Sequence, residues 1–347
     1  MIENLHIQHF RGIRKCQLDN LKQFNLFLGK NNCGKSSVLD ALFLFSNGNN
    51  PTLGLRINNM RNYIGSFRDT ALLNFYGLDA SHSILFDGCY DGKQHRQEIS
   101  FQEIVPTTID LSPASPNEKL KKNYRLNVRS QREGGIVSES SISVFDDDIK
   151  NAVASADSIY KEIPTYYMPP IVPYEDMLRA YSIILKNKEE QRIIKMLQQI
   201  EPTIKDMVVI ENHIMVDVGL PQRIPIEVLG DGIKKIFSIV LNIYQSQNGL
   251  LLLDEVDNGL HYQSMPVMWQ AILYAAHEYN TQVCATTHNI DSLRSLNQVL
   301  GEDTFLHLQD DISIYTLRKD ITSGSLYALH SNYAQFNHLT EQDIEIR

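Results

Sequence analysis

Three stretches of the chain carry residue types suited to handling phosphate. The first is Gly29-Lys30-Asn31-Asn32-Cys33-Gly34-Lys35-Ser36, with Ser37 next. Its two glycines let the backbone curl tightly. N–H groups from Asn31, Asn32, Cys33 and Gly34 through Ser37 can then face phosphate oxygens, helped by the positive end of a following helix. At this spacing Lys35 reaches the β- and γ-phosphates and the Ser36 hydroxyl holds Mg²⁺. The second stretch is Asp254-Glu255, directly after Leu250-Leu251-Leu252-Leu253. A buried strand explains the leucines but not two carboxylates at its end. There Asp254 is expected to hold Mg²⁺ through water, and Glu255 to activate an attacking water as general base. The third is His288, closing Cys284-Ala285-Thr286-Thr287-His288. It is placed to sense a γ-phosphate.

These residues need elements to hold them. The apolar run Phe24–Leu28 predicts a strand feeding the glycine loop, and Ser37–Phe43 predicts a helix leaving it. Residues 2–9 and 13–19 read as short strands turning at Arg11-Gly12, and residues 82–90 and 95–101 as a hairpin around Asp91-Gly92. A weaker helix is expected near 55–63. Strand-like runs fall at 124–129, 136–144 and 166–168, and helical spacing covers 175–200. Residues 205–229 read as a meander of strands that includes Ile224–Val228. From 232 onward, helix and strand alternate, which implies a parallel sheet with right-handed crossovers. Two short strands and a final helical segment are expected after residue 302.

Composition bounds the possibilities. The 347 residues are 43% hydrophobic and 21% charged, ordinary for a globular chain with a substantial core. No apolar run approaches the length of a membrane helix, and no signal peptide is visible at Met1–Asn4. Four scattered cysteines without a C-x-x-C pair predict reduced thiols and a cytoplasmic location. A net charge of −9 argues against coating DNA with the whole surface. A locally basic segment (Lys119, Lys121, Lys122, Arg125, Arg129, Arg132) reads as a solvated sheet face, with a patch for nucleic acid or an acidic partner as the alternative. No zinc-ligand pattern is present.

Taken together, these motifs resemble the ATP-binding-cassette (ABC) ATPase superfamily, in its soluble branch of RecF-like, SMC-like and OLD (overcoming lysogenization defect) ATPases. The resemblance rests on Ile7–Ile13, on Gly29–Ser36 and on Asp254–His261, and spans roughly residues 1–47 and 226–300. It implies an α/β fold: an ABC ATPase head with an N-terminal antiparallel β-subdomain, a parallel core sheet and a small α/β lid insertion. The expected division is a single ATPase domain, 1–347. Residues 1–104 would form the lobe with the phosphate loop, 105–203 an inserted lid or helical subdomain, and 204–347 the lobe with the signature, acidic strand and His288. In the family a signature motif opens the helix before the acidic strand. Here Gly230-Asp231-Gly232 takes that place, and Lys234 or Lys235 would add charge toward a second subunit's γ-phosphate. The transporter-type serine is replaced by Gly230. Arg11 corresponds to a basic residue near the nucleotide in related soluble ATPases. The family glutamine loop has no counterpart that can be placed.

The resemblance therefore implies ATP and Mg²⁺ as cofactors and a homodimer, or a larger assembly, closed around ATP. The roughly sixty residues after His288 are too few for the nuclease domain of OLD proteins, so a stand-alone ATPase is expected. The implied role is a stand-alone switch controlling a separately encoded nuclease or toxin in anti-phage defence, with no membrane partner. The alternative is a RecF-like DNA-maintenance ATPase with nucleic acid as its partner.

Overall fold

The computed structural model describes residues 1–342 apart from 62, 64, 105–121, 136, 146, 157–162, 169–171 and 199–200. Lys119 and Lys121 of the basic segment lie outside the described residues.

The chain opens with strands β1 (Ile2–Phe10) and β2 (Ile13–Leu18), then runs through β3 (Phe24–Leu28) into helix α1 (Lys35–Ser46). Helices α2 (Leu53–Met60) and α3 (Phe67–Leu72) precede strands β4 (Ile84–Tyr90), β5 (Lys93–Ile104), β6 (Asn123–Arg132), β7 (Val137–Val144) and β8 (Ala152–Ala156). Strand β9 (Thr165–Met168) leads to α4 (Tyr174–Asn187) and α5 (Glu190–Gln198). A small meander follows: β10 (Asp206–Ile210), β11 (His213–Asp217) and β12 (Ile224–Pro225). Then come α6 (Asp231–Gln245), β13 (Leu250–Leu253), α7 (Met265–Glu278), β14 (Gln282–Thr286) and α8 (Ile290–Leu300). The last elements are β15 (Ile312–Lys319), β16 (Leu326–Ser331) and α9 (Tyr333–Glu341).

The core sheet has the order β16-β15-β3-β14-β13-β9 and is parallel except for β16. Its register decides where the chemistry collects. Leu253 pairs with Ala285 and Met168, and Thr286 pairs with Phe27. Strands β3, β13 and β14 thus end at one edge, and the glycine loop, Asp254-Glu255 and His288 all leave from it. Ligands gather at that edge in parallel α/β sheets. Both faces of this sheet are covered. Leu251 and Leu253 belong to one hydrophobic core with α4–α8, and Leu250 and Leu252 to a second core with α1 and the antiparallel sheet. Alternate side chains of a strand face opposite ways, so a strand between two cores must be apolar throughout.

The second sheet is antiparallel, in the order β2-β1-β4-β5-β6-β7-β8. Strands β6–β8 continue it without a break, Ile104 pairing with Asn123 through to His95 with Arg132. Strand β9 joins the core sheet. Of the described residues between 105 and 203, β6–β8 extend the antiparallel sheet, β9 joins the core sheet, and α4 and α5 follow. Arg125 and Arg129 share one face of β6 and have partners there, as does Lys122 just before the strand. Arg129 pairs with Glu139 at 3.2 Å, Lys122 with Glu103 at 3.8 Å, and Arg125 Nε donates to Ser143 Oγ at 2.9 Å. The strand expected over Ile224–Val228 stops at Pro225. Its fixed φ of −60° opens a 3-10 turn, Ile226–Leu229, that buries Ile226.

Candidate nucleotide site

The glycine loop is shaped by two positions that only glycine fills easily. Gly29 has φ 143°, and a Cβ there would lie 2.7 Å from both Leu317 O and Cys33 Sγ. Gly34 has φ 110° and is the N-cap of α1. Left-handed backbone of this kind strains any residue with a side chain. The hairpin of β15 and β16 braces the loop from outside, through Leu317 behind Gly29 and Leu326 behind Gly34. Lys35 is 8% exposed, and its ammonium donates to Gly29 O at 2.8 Å and Lys30 O at 3.1 Å. The charge is thus held over the loop, where phosphate oxygens can replace the two carbonyls. Helix α1 then buries Val38, Leu39, Leu42 and Phe45, anchoring the loop in the core.

Ser36 and Asp254 meet across the end of the sheet. Ser36 Oγ donates to Asp254 Oδ1 at 3.1 Å, and Thr286 Oγ1 donates to the same oxygen at 2.7 Å. Tyr167 OH donates to Asp254 Oδ2 at 3.3 Å. A serine hydroxyl and a carboxylate are hard oxygen donors. That donor set suits Mg²⁺, which takes one or two protein oxygens beside substrate phosphates. Glu255 follows in left-handed backbone (φ 48°), its N–H donating to Thr286 Oγ1 at 2.8 Å. Thr286 therefore pins both acids to the end of β14. His288 is exposed just beyond, and the neighbouring Thr287 N–H reaches Phe27 O at 3.3 Å.

Behind the loop lies a buried ionic cluster. Asp40 on α1 is fully buried and accepts from Arg11 at 2.9 Å and from Arg61 at 2.8 Å. Both of its oxygens face donors that carry no lone pair to offer, so the geometry uses the ionised carboxylate. Burial still pushes this carboxyl above its ordinary value, against the pull of the two guanidiniums. Arg11 also donates to Asn58 Oδ1 at 2.7 Å, and Arg61 to Tyr167 OH at 3.3 Å. Burial, and then the charges of Asp40 and Asp254, hold the Tyr167 phenol well above its usual range, so it remains a donor. Arg11, Arg61, Asn58, Ser37 and Phe75 line a cavity of about 330 Å³ beside the start of α1.

The signature stretch sits elsewhere. Gly230 has φ 96°, and Asp231, Lys234, Lys235, Asn258 and Gly259 line a separate cavity of about 470 Å³ that no glycine-loop residue enters. Lys234 is bonded to Asp231 at 2.7 Å, which holds the Asp231 carboxyl below its usual range. The free charge expected of Lys234 is thus engaged within its own helix. Burial lowers Lys235, opposed by the charges of Asp257 and Glu255.

Of the residues singled out from sequence, Ser36 and Asp254 come together directly, and Lys35 folds back over the loop. Arg11 stands behind Ser37 rather than in the loop. Asp231 and Lys234 line a second cavity with Asn258 and Gly259, and Gly230 and Gly232 flank Asp231 in the chain. Asp40, Arg61, Tyr167 and Thr286 were not singled out. Asp40 did leave a signal, as one acid inside the apolar run Val38–Phe43. Tyr167 and Arg61 left none.

Comparison with known proteins agrees with this geometry. The family model described as "AAA domain, putative AbiEii toxin, Type IV TA system" matches residues 24–294. The chain is 27% identical to an ATP/GTP phosphatase of Helicobacter pylori over 350 residues, 92% of this chain and 93% of that protein. A stretch of 47 residues, 14% of this chain and 13% of the relative, is 43% identical to the DNA replication and repair protein RecF of Vibrio campbellii. An SMC head crystallised with the C-winged helix domain of ScpA superposes with a TM-score of 0.50 at 12% identity, covering 95% of this chain and 97% of that one. This last likeness is one of fold, the ABC-type head with its antiparallel and parallel sheets. The matched family region runs from β3 into α8 and takes in the glycine loop, both acids and His288. The chain belongs to this AAA-domain family and is an ATPase.

Proposed function

We propose that the protein is a Mg²⁺-dependent ATP switch of the OLD-like group, whose two subunits close around ATP and control a separately encoded nuclease or toxin in anti-phage defence. The observation that carries this reading is the separation of the two half-sites. Ser36 and Asp254 meet at one edge of the sheet, next to the loop that Lys35 closes, while Asp231 and Lys234 line a cavity that none of them enters. A second copy would bring its Gly230-Asp231-Gly232 stretch to the γ-phosphate, with the N–H groups at the start of α6 facing the charge. The family description, with its toxin and toxin–antitoxin terms, supports an effector-linked role.

Within each site the chain's own residues divide the work. The loop N–H groups from Asn31 to Ser37 and the Lys35 ammonium hold and orient the phosphates. Ser36 and Asp254 would hold Mg²⁺, which when bound neutralises charge building on the phosphate oxygens. Glu255 accepts the proton of the attacking water, and His288 hydrogen-bonds the γ-phosphate. The whole chain acts as one ATPase domain. Glu255→Gln should keep ATP binding, lose about 10²- to 10⁴-fold in turnover and accumulate an ATP-dependent dimer, read by light scattering. Wild-type turnover in this variant would remove Glu255 as the base, and a monomer under saturating ATP would remove the sandwich.

A second reading, a RecF-like DNA-maintenance ATPase, is favoured by the 47-residue stretch shared with RecF. It requires turnover stimulated by DNA and binding that weakens steeply with salt.

A further inference from the structure

The metal-facing carboxylate is held from behind by a side chain that lies in none of the recognised motifs. Asp254 Oδ2 accepts from Tyr167 OH at 3.3 Å, and Tyr167 OH accepts from Arg61 at 3.3 Å. A guanidinium can only donate. Arg61 therefore occupies a lone pair of the tyrosine oxygen and leaves its single hydrogen for Asp254. Arg61 is itself fixed, donating to both oxygens of the fully buried Asp40 at 2.8 and 2.9 Å. The tyrosine ring is fixed separately, edge-on to Phe43 at 5.9 Å and 88°. On the other oxygen, Thr286 takes one lone pair of Oδ1 and Ser36 faces the other. With Oδ2 held by Tyr167 and one side of Oδ1 by Thr286, the carboxylate is turned so that Oδ1 faces Ser36, and these two oxygens are the ones that would hold the cation.

We propose that Tyr167 is a positioning residue for the Asp254 carboxylate, and that the Asp40–Arg61 pair sets the direction of its hydroxyl. This rests on the Mg²⁺–ATP reading above. It also gives the metal site and the cavity beside α1 a shared element, because Arg61 lines that cavity. Partners that orient metal ligands in this way are typically worth about 10- to 100-fold in metal affinity.

The test is Tyr167→Phe, which keeps the ring and removes only the hydroxyl. Bound Mn²⁺ is counted by electron paramagnetic resonance in the presence of a non-hydrolysable ATP analogue, and analogue affinity is measured separately in EDTA. Fluorescence of the single tryptophan, Trp269, reports folding. The expected result is an Mn²⁺ affinity about tenfold weaker, with unchanged analogue affinity in EDTA and an unchanged fold. Wild-type Mn²⁺ affinity in Tyr167→Phe would overturn the proposal and leave the ATPase reading standing. Equal loss of analogue binding in EDTA would also overturn it, because the hydroxyl would then serve the loop and not the metal. A wild-type protein that holds no nucleotide-dependent Mn²⁺ would overturn the metal reading and this proposal with it.

Discussion

Ser36 and Asp254 lie 218 positions apart in the chain, yet the serine hydroxyl donates to the aspartate at 3.1 Å. The contact exists because β3 and β13 flank β14 in register and end together. Asp254 directly follows β13, and Ser36 lies in the first turn of α1, which the glycine loop ties to the end of β3, so sheet and loop together set their separation.

The Lys35 ammonium is bonded only to two loop carbonyls among the described residues, so its charge is available to phosphate. Lys35→Ala should weaken ATP binding by about 10- to 150-fold, the worth of a hydrogen bond to a charged group. Titration with a fluorescent ATP analogue in EDTA reads this without the metal. An unaltered affinity would count against the glycine loop as the phosphate site.

Gly29 tests the backbone of the loop rather than its charge. A Cβ at this position would sit 2.7 Å from Leu317 O, on a residue with φ 143°. Gly29→Ala combines the collision with unfavourable backbone, and should destabilise the protein by more than about 1 kcal/mol. ATP affinity should fall as the loop is displaced from Leu317. A variant with wild-type melting temperature and affinity would mean that β15 yields freely.

Asp40 serves stability. Removing it leaves Arg11, 13% exposed, and Arg61 without the carboxylate that both face. Asp40→Ala should cost about 3–5 kcal/mol, the usual penalty for breaking a buried ion pair from one side. Urea denaturation followed by Trp269 fluorescence is the measurement, since that indole is 4% exposed. A loss below about 1 kcal/mol would place the pair in the range of exposed salt bridges.

Burial pushes the Cys16 thiol up to about 12. An unfolded thiol ionises nearer its ordinary value, so between the two the folded state holds a proton that the unfolded state has lost. The stabilisation is complete below the unfolded value and disappears as pH rises through the folded one. The melting temperature should therefore fall above about pH 9, and fall less in Cys16→Ala. Identical pH slopes in the two proteins would show that other groups control alkaline unfolding. Under native conditions Cys16 and Cys284, both buried, should resist alkylation while the less enclosed Cys89 reacts.

The chain by itself determined the local framework of the site. Glycines at Gly29 and Gly34, an apolar strand before them and an apolar helix after them specify the loop, because backbone freedom and burial are written in neighbouring residues. Four consecutive leucines before Asp254 likewise announce a strand covered on both faces. Only the tertiary structure decided who meets whom. Tyr167 on β9 and Arg61 at the end of α2 carry no periodic mark, since a partner brought in from another segment leaves no spacing in the sequence. The same holds for β6–β8, whose alternation fits any half-buried sheet and whose place beside β5 depends on a free edge. Residue pattern encodes what each segment buries; strand order and register decide which buried and polar groups then come within a hydrogen bond of one another.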